Sequence, residues 1–208
     1  MKIRFPSSAA ILFGLLTTLA TLPGCTTVDQ KIILRYAPID QSFGQHSGEI
    51  IVVKVDSAPP PKNNRGEWII GSLNNVHGVH QADLLTDLNL SEWITDALIL
   101  ELKHAGYSAI QKPSIPDTAP SGIQISDINS SVNVYSDLVK ATVKQELKFN
   151  VNLYLNGVRI KTFAVASRNN QTLVWTVSAE ENENLMFHSL QDAMKQIIPE
   201  IIILTEKK

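Results

Sequence analysis

The chain has 208 residues, 18 of them basic and 20 acidic, is 44% apolar and holds one cysteine. So slight an acidic balance excludes the basic surface that nucleic acid or an anionic lipid face would select. A single cysteine excludes an internal disulfide and a thiolate metal cluster, so an ordinary apolar core has to hold the fold.

The N-terminus has three parts. Lys2 and Arg4 supply positive charge, Phe5 to Leu22 is uncharged with an apolar centre, and Leu22-Pro23-Gly24-Cys25 closes the segment. Residues 1–24 therefore read as a secretory leader; Pro6 and Gly14 interrupt the run, and a cleavage-like site ends it, which sets it apart from a membrane span. Leu22 to Cys25 resembles the lipobox of bacterial lipoproteins. That resemblance implies diacylglycerol on the Cys25 sulfur, cleavage after Gly24, and acylation of the new amine, with Leu22, Pro23 and Gly24 read by the signal peptidase. Thr26 stands where inner-membrane retention would favour Asp, so the resemblance implies a lipid anchor in the outer membrane, facing the periplasm. Two or three acyl chains hold firmly where one is marginal. Without the leader, 16 basic residues face 20 acidic ones, a net charge of −4.

Residues 25–48 read as the lipidated N-terminus and a polar tether, with a short strand near Lys31 to Tyr36. A single periplasmic domain is expected over 49–208. Glu49 to Asp56 is β-branched on both faces and suits a strand buried on two sides. Ser57 to Gly66, with three successive prolines, is a loop. Trp68 to Leu73 predicts a strand, and Asn74 to Asn89 a long connection. Ser91, as N-cap, opens a helix ending at Gly106, with Ile94, Ala97, Leu98, Leu102 and Ala105 on its apolar face and Asp96, Glu101 and Lys103 mostly away from it. Tyr107 to Ile110 is a short strand.

The second half predicts a meander. Ile123 and Ile125 are out of phase with Ile128, Val132 and Val134, which places a bulge near Asp127. Ala141 to Leu155 alternates, interrupted only by Gln145, as a strand with one wet and one dry face does. Asn156-Gly157 signals a type I′ hairpin. The return strand, Val158 to Ala166, has Val158, Ile160, Ala164 and Ala166 on one side, and Thr172 to Val177 is another strand. A second helix begins near Leu185 after a polar turn, with Met186, Leu190, Ala193, Met194, Ile197 and Ile201 on its apolar face and a kink or restart at Pro199.

The expected fold is α+β: a two-layer domain of mainly antiparallel sheet, about five to seven strands, with two amphipathic helices on one face. The order resembles the YajG-type envelope lipoproteins and the auxiliary lipoproteins of ABC-type lipid transporters. IIVVKVD at 50–56, Arg65 with IIG at 69–71, and LSEWITDALILELKHAGY at 90–107 carry the resemblance, beside the lipobox. It implies an envelope protein or lipid-transport component as partner and brings no catalytic residue.

Candidate sites are sparse. His77 and His80 with Asp83 could hold an ion only if the segment were helical, and a fourth ligand is lacking, so no metal is expected. There is no G-x-S-x-G elbow and no glycine-rich phosphate loop; Asp127, Asp137 and Asp192 are scattered. Glu180, Glu181 and Glu183 suit a helix N-terminus. Neither enzyme activity nor a cofactor is expected. Trp68, Trp93 and Trp175 read first as core; Trp93, Ile201 and Ile202 are the expected partner surface. The reading is of a non-enzymatic, membrane-anchored accessory that tethers a partner in outer-membrane assembly or transport. The alternative is a carrier of a small apolar ligand, such as lipid, between sheet and helices.

Overall fold

The computed structural model describes residues 28–41, 43–54, 60–137, 139–174 and 177–206. Leu22, Pro23, Gly24, Cys25, Thr26 and Trp175 lie outside these. In chain order the elements are β1 (Gln30–Lys31), β2 (Glu49–Lys54), β3 (Trp68–Asn75), β4 (His80–Thr86), α1 (Leu90–His104), β5 (Ser108–Gln111), β6 (Ser121–Ser136), β7 (Lys140–Leu155), β8 (Val158–Val174) and α2 (Ala179–Glu206).

The eight strands form one sheet, larger than expected and mixed rather than mainly antiparallel. β6 organises it. One edge of β6 pairs antiparallel with β7 along nearly its whole length. Its other edge is shared: Gly122–Ile125 pairs in parallel with β2, and Val132–Ser136 in parallel with β3. β5 extends the sheet beyond β2, while β4 and then β1 extend it beyond β3. The contact between β3 and β6 is close enough that a Cβ on Gly71 would stand 2.1 Å from the Val132 carbonyl oxygen.

Both helices cover one face. The predicted apolar residues of α1 and α2 all join one buried cluster with Ile50, Val52, Ile123, Val143, Leu147, Phe149 and Val151. β2 is buried on its second side too, where Ile51 and Val53 meet Ala119.

Several local expectations change. The stretch 74–89 is not a connection but the turn and second strand of a β3–β4 hairpin. The N-cap of α1 is Asn89, whose side chain accepts from the Ser91 amide at 2.8 Å. α2 starts at Ala179, six residues before Leu185, because Ser178 and Glu181 form a reciprocal capping box: Ser178 N donates to Glu181 Oε2 (2.7 Å) and Glu181 N to Ser178 Oγ (3.2 Å). α2 continues through Pro199 to Glu206 rather than restarting. The Asp127 bulge and the type I′ turn at Asn156 (φ 51°) and Gly157 (φ 75°) are as expected.

β8 is one strand to Val174, and the residues expected on one side of it do not share that side: Val158, opposite Leu155, lies on the side where Val165 and Ser167 are buried, while Ala164 and Ala166 lie exposed on the other. A second bulge causes this. Tyr154 pairs with Arg159 but Leu153 with Lys161, so Ile160 is the extra residue that shifts the phase by one.

Candidate functional site

Because the helices occupy one face, the other is left to the wet positions of the strands. Its side chains line up in rows fixed by register. One row is Asp83, Ser72, Asn133, Lys144 and Asn170 across five strands; the next includes Ser131, Glu146 and Arg168. Between them lies an open cleft of about 350 Å³ lined by Ser131, Asn133, Lys144, Glu146, Arg168 and Asn170, with Gln145 and Asn169 at its base.

The cleft is held by its own hydrogen bonds. Ser72 Oγ donates to Asn133 Oδ1 at 2.9 Å, and Asn74 Nδ2 to Ser72 Oγ at 2.8 Å. Glu146 receives Lys148 Nζ at 2.7 Å and the Arg168 guanidinium; these two bonds hold its carboxyl below the usual range. Lys144 has no carboxylate partner among the described residues, and its ammonium lies 5.3 Å from the Tyr135 ring centre. Below the cleft, Ser189 and Asn169 both donate to Gln145 Oε1, so the residue that interrupts the β7 alternation anchors a buried polar cluster. The cleft thus offers amides, one uncommitted cation and a carboxylate kept ionised, an arrangement suited to binding a polar partner.

A second feature covers the helices. Residues 28–41 and 43–47, part of the expected tether, lie packed as a strap with Ile32, Leu34 and Ile39 buried. Trp93 Nε1 donates to Arg35 O (3.0 Å), Gln191 Nε2 to Ala37 O (3.1 Å), Ile33 N to Glu183 Oε1 (2.8 Å) and His46 N to Ala105 O (3.1 Å). The centre of the strap is hooked to Glu101, which is 0% exposed: Oε1 accepts from Ile39 N at 2.7 Å and from the Tyr36 hydroxyl. Oε2 has no hydrogen-bond partner, and His104 Nδ1 is 4.0 Å away. Burial, then the bond to Glu101, pushes the Tyr36 phenol far above its ordinary value, so it remains a donor. His46 stacks on Tyr107 and binds the Phe43 carbonyl and the Glu206 carboxylate through its two ring nitrogens. Burial opposes its protonation, but those two acceptors together raise its pKa.

Of the expected partner surface, Trp93 is 3% exposed and borders a groove of about 230 Å³ between strap and α1, while Ile201 and Ile202 lie in the helix–sheet core. The strap covers Trp93, and the unbroken α2 carries the isoleucines inward, so these three do not form a surface. Trp68 is partly buried, with Lys62 Nζ 3.9 Å from its ring centre. The His77–His80 segment is the β3–β4 turn, where Asn75 Oδ1 accepts from the His77 and Val79 amides, both at 3.0 Å. His80 meets Asp83 at 3.3 Å, and among the described residues no three His, Cys, Asp or Glu side chains gather as metal ligands. No described helix is long and apolar enough to cross a membrane. Lys144 was legible as a wet-face position of β7, whereas Arg168 and Asn170 fall in the gap between the strands expected at Val158–Ala166 and Thr172–Val177, and the grouping depends on register between distant strands.

No protein-family model and no curated protein matches the chain. Among solved structures it is similar to a Helicobacter pylori protein proposed to be a neuraminyllactose-binding hemagglutinin homologue, at 14% identity over 82% of this chain and 97% of that one, TM-score 0.47. It is also similar to a Xanthomonas campestris protein of the DUF330 family, at 12% identity over 85% of this chain and 95% of that one, TM-score 0.49.

Proposed function

We propose that the chain is a lipid-anchored protein of the bacterial cell envelope, held through acylated Cys25 at the periplasmic side of the outer membrane, that binds a partner through the outer face of its sheet without catalysing a reaction. The observation that carries this is the contrast between the two faces. The helix face is filled by side chains, whereas the outer face keeps an open, pre-formed cleft with an uncommitted Lys144. Confinement to the membrane raises the effective concentration of such a surface, so a weak contact suffices. Carriage of an apolar ligand would rest on the groove beside Trp93, and about 230 Å³ is below the roughly 300–1,000 Å³ of usual ligand pockets.

Photo-crosslinking in intact cells tests the binding face. A photoreactive residue at Lys144 or Arg168 is expected to give discrete adducts that one at Lys195, on α2, does not. Adducts from Lys195 alone would refute the assignment. Labelling with radioactive palmitate tests the anchor: Cys25→Ser should abolish it and release the protein from membranes.

A further inference from the structure

Five of the exposed large apolar residues collect at one end of the sheet. Val28, Val76, Val79, Val139 and Val174 are each more than half exposed. Register places them together. Asn74 is opposite both His80 and Tyr135, Tyr135 is opposite Thr142, and Thr142 is opposite Thr172. Just beyond that row come the β3–β4 turn with Val76 and Val79, the β6–β7 turn with Val139, and the end of β8 with Val174.

The N-terminus leaves from the same end. β1 runs parallel to β4, with Gln30 opposite Leu84, and Asp29 Oδ1 accepts from the Asp83 amide at 3.0 Å. Followed backwards, β1 therefore leads towards His80 and the turn. Only three residue steps separate Val28 from Cys25, a reach of at most about 11 Å. The strap has consumed the remaining length, so an acylated Cys25 cannot stand more than that reach from Val28, at the β1 side of this same end.

We infer that this end of the sheet rests on the membrane, with the exposed valines entering the headgroup boundary beside the acyl chains. The inference depends on the lipid anchor proposed above. A bilayer is the occupant that the geometry favours, because a protein at this end would have to fit within that short gap. Of the nearby charges, Asp137 is satisfied by the amides of Val139 (2.7 Å) and Lys140 (2.6 Å), Asp29 accepts from the Asp83 amide, and the stem of Lys140 can lie along the surface with its ammonium in the headgroups. The strands then stand upright on the membrane, and the polar cleft opens sideways.

Acylation of Cys25 caps the natural thiol, so an introduced cysteine is the one site for a fluorescent thiol probe. The full-length acylated protein is reconstituted in vesicles of phosphatidylethanolamine and phosphatidylglycerol with Val79→Cys, Val174→Cys or, at the opposite end, Val158→Cys. Brominated acyl chains should quench the probe at 79 and 174 at least threefold more than at 158. Equal, water-like emission at all three sites, with palmitate on Cys25 intact, overturns the inference and leaves the anchor standing. Absence of palmitate and loss of the protein from vesicles refutes the anchor, and the inference with it. In cells, crosslinks from position 79 to a protein instead of lipid would also overturn it.

Discussion

Glu101→Leu is expected to loosen the strap before it unfolds the protein. The substitution keeps the bulk of a fully buried side chain but removes the oxygen that receives Ile39 N and the Tyr36 hydroxyl. A stranded buried donor costs about 1–3 kcal/mol; Ile39, itself buried, bears that cost in full, whereas Tyr36 borders the open groove and recovers part of it from water. The two losses sum to about 2–4 kcal/mol. Removing the partnerless Oε2 returns about 1–2 kcal/mol of desolvation, which leaves a net loss of about 1–2 kcal/mol. Hydrogen exchange reads this locally: the Ile39 amide should exchange about 5- to 30-fold faster, with smaller changes in the β7 core. Tyr36→Phe should give the milder form. Unchanged protection at Ile39 together with an unchanged urea midpoint would refute the role of Glu101 as the hook.

The His46 clasp gives a pH dependence. Its folded pKa is raised, so its stabilisation is full below the ordinary histidine value of about 6.5 and is lost as pH rises through the raised value. Trypsin cleavage at Lys31 and Arg35, scored against His46→Asn at each pH, should favour the wild type at pH 6 and converge as the pH rises through the raised value; a constant ratio would contradict the clasp. Gly71→Ala places a Cβ against the Val132 carbonyl, and overpacking at that junction should cost about 2–3 kcal/mol, a melting shift of roughly 5–10 °C; a shift below about 2 °C would mean that β3 and β6 separate freely. Ser178→Ala removes half of the capping box and should lower stability by about 1 kcal/mol in urea, with no change if α2 is not capped there.

What the sequence revealed depended on whether periodicity was followed without regard to residue type. Ile94, Leu98 and Ala105 define the α1 stripe, and Glu101, seven residues after Ile94 and three after Leu98, lies on it; its charge argued for solvent, but the strap supplied the hydrogen bonds that permit burial. Gln145 shows the same in β7, where position decided burial over polarity. The β8 phase shift was illegible because a bulge at Ile160 has no marker in composition. The parallel pairings of β2 and β3 with β6 lie further still from local pattern, since they join segments about seventy and about sixty residues apart. The cleft inherits that difficulty: Lys144 and Glu146 were recognisable as solvent-facing from the β7 alternation, whereas Arg168 and Asn170 lay in an unassigned gap, and the meeting of all four is a property of the assembled sheet.

The strap has a consequence for the order in which the chain becomes native. Its fastenings reach Glu183, Gln191 and Glu206, about 150 to 160 residues further on. Synthesis proceeds from the N-terminus, and the meander of β6, β7 and β8 can form from near neighbours alone. The first part of the folded chain to be made is therefore the last to be secured, since it waits for α2. Loss of the final turn of that helix would be felt at the opposite terminus, where the closing segment would stay open while the sheet behind it was complete.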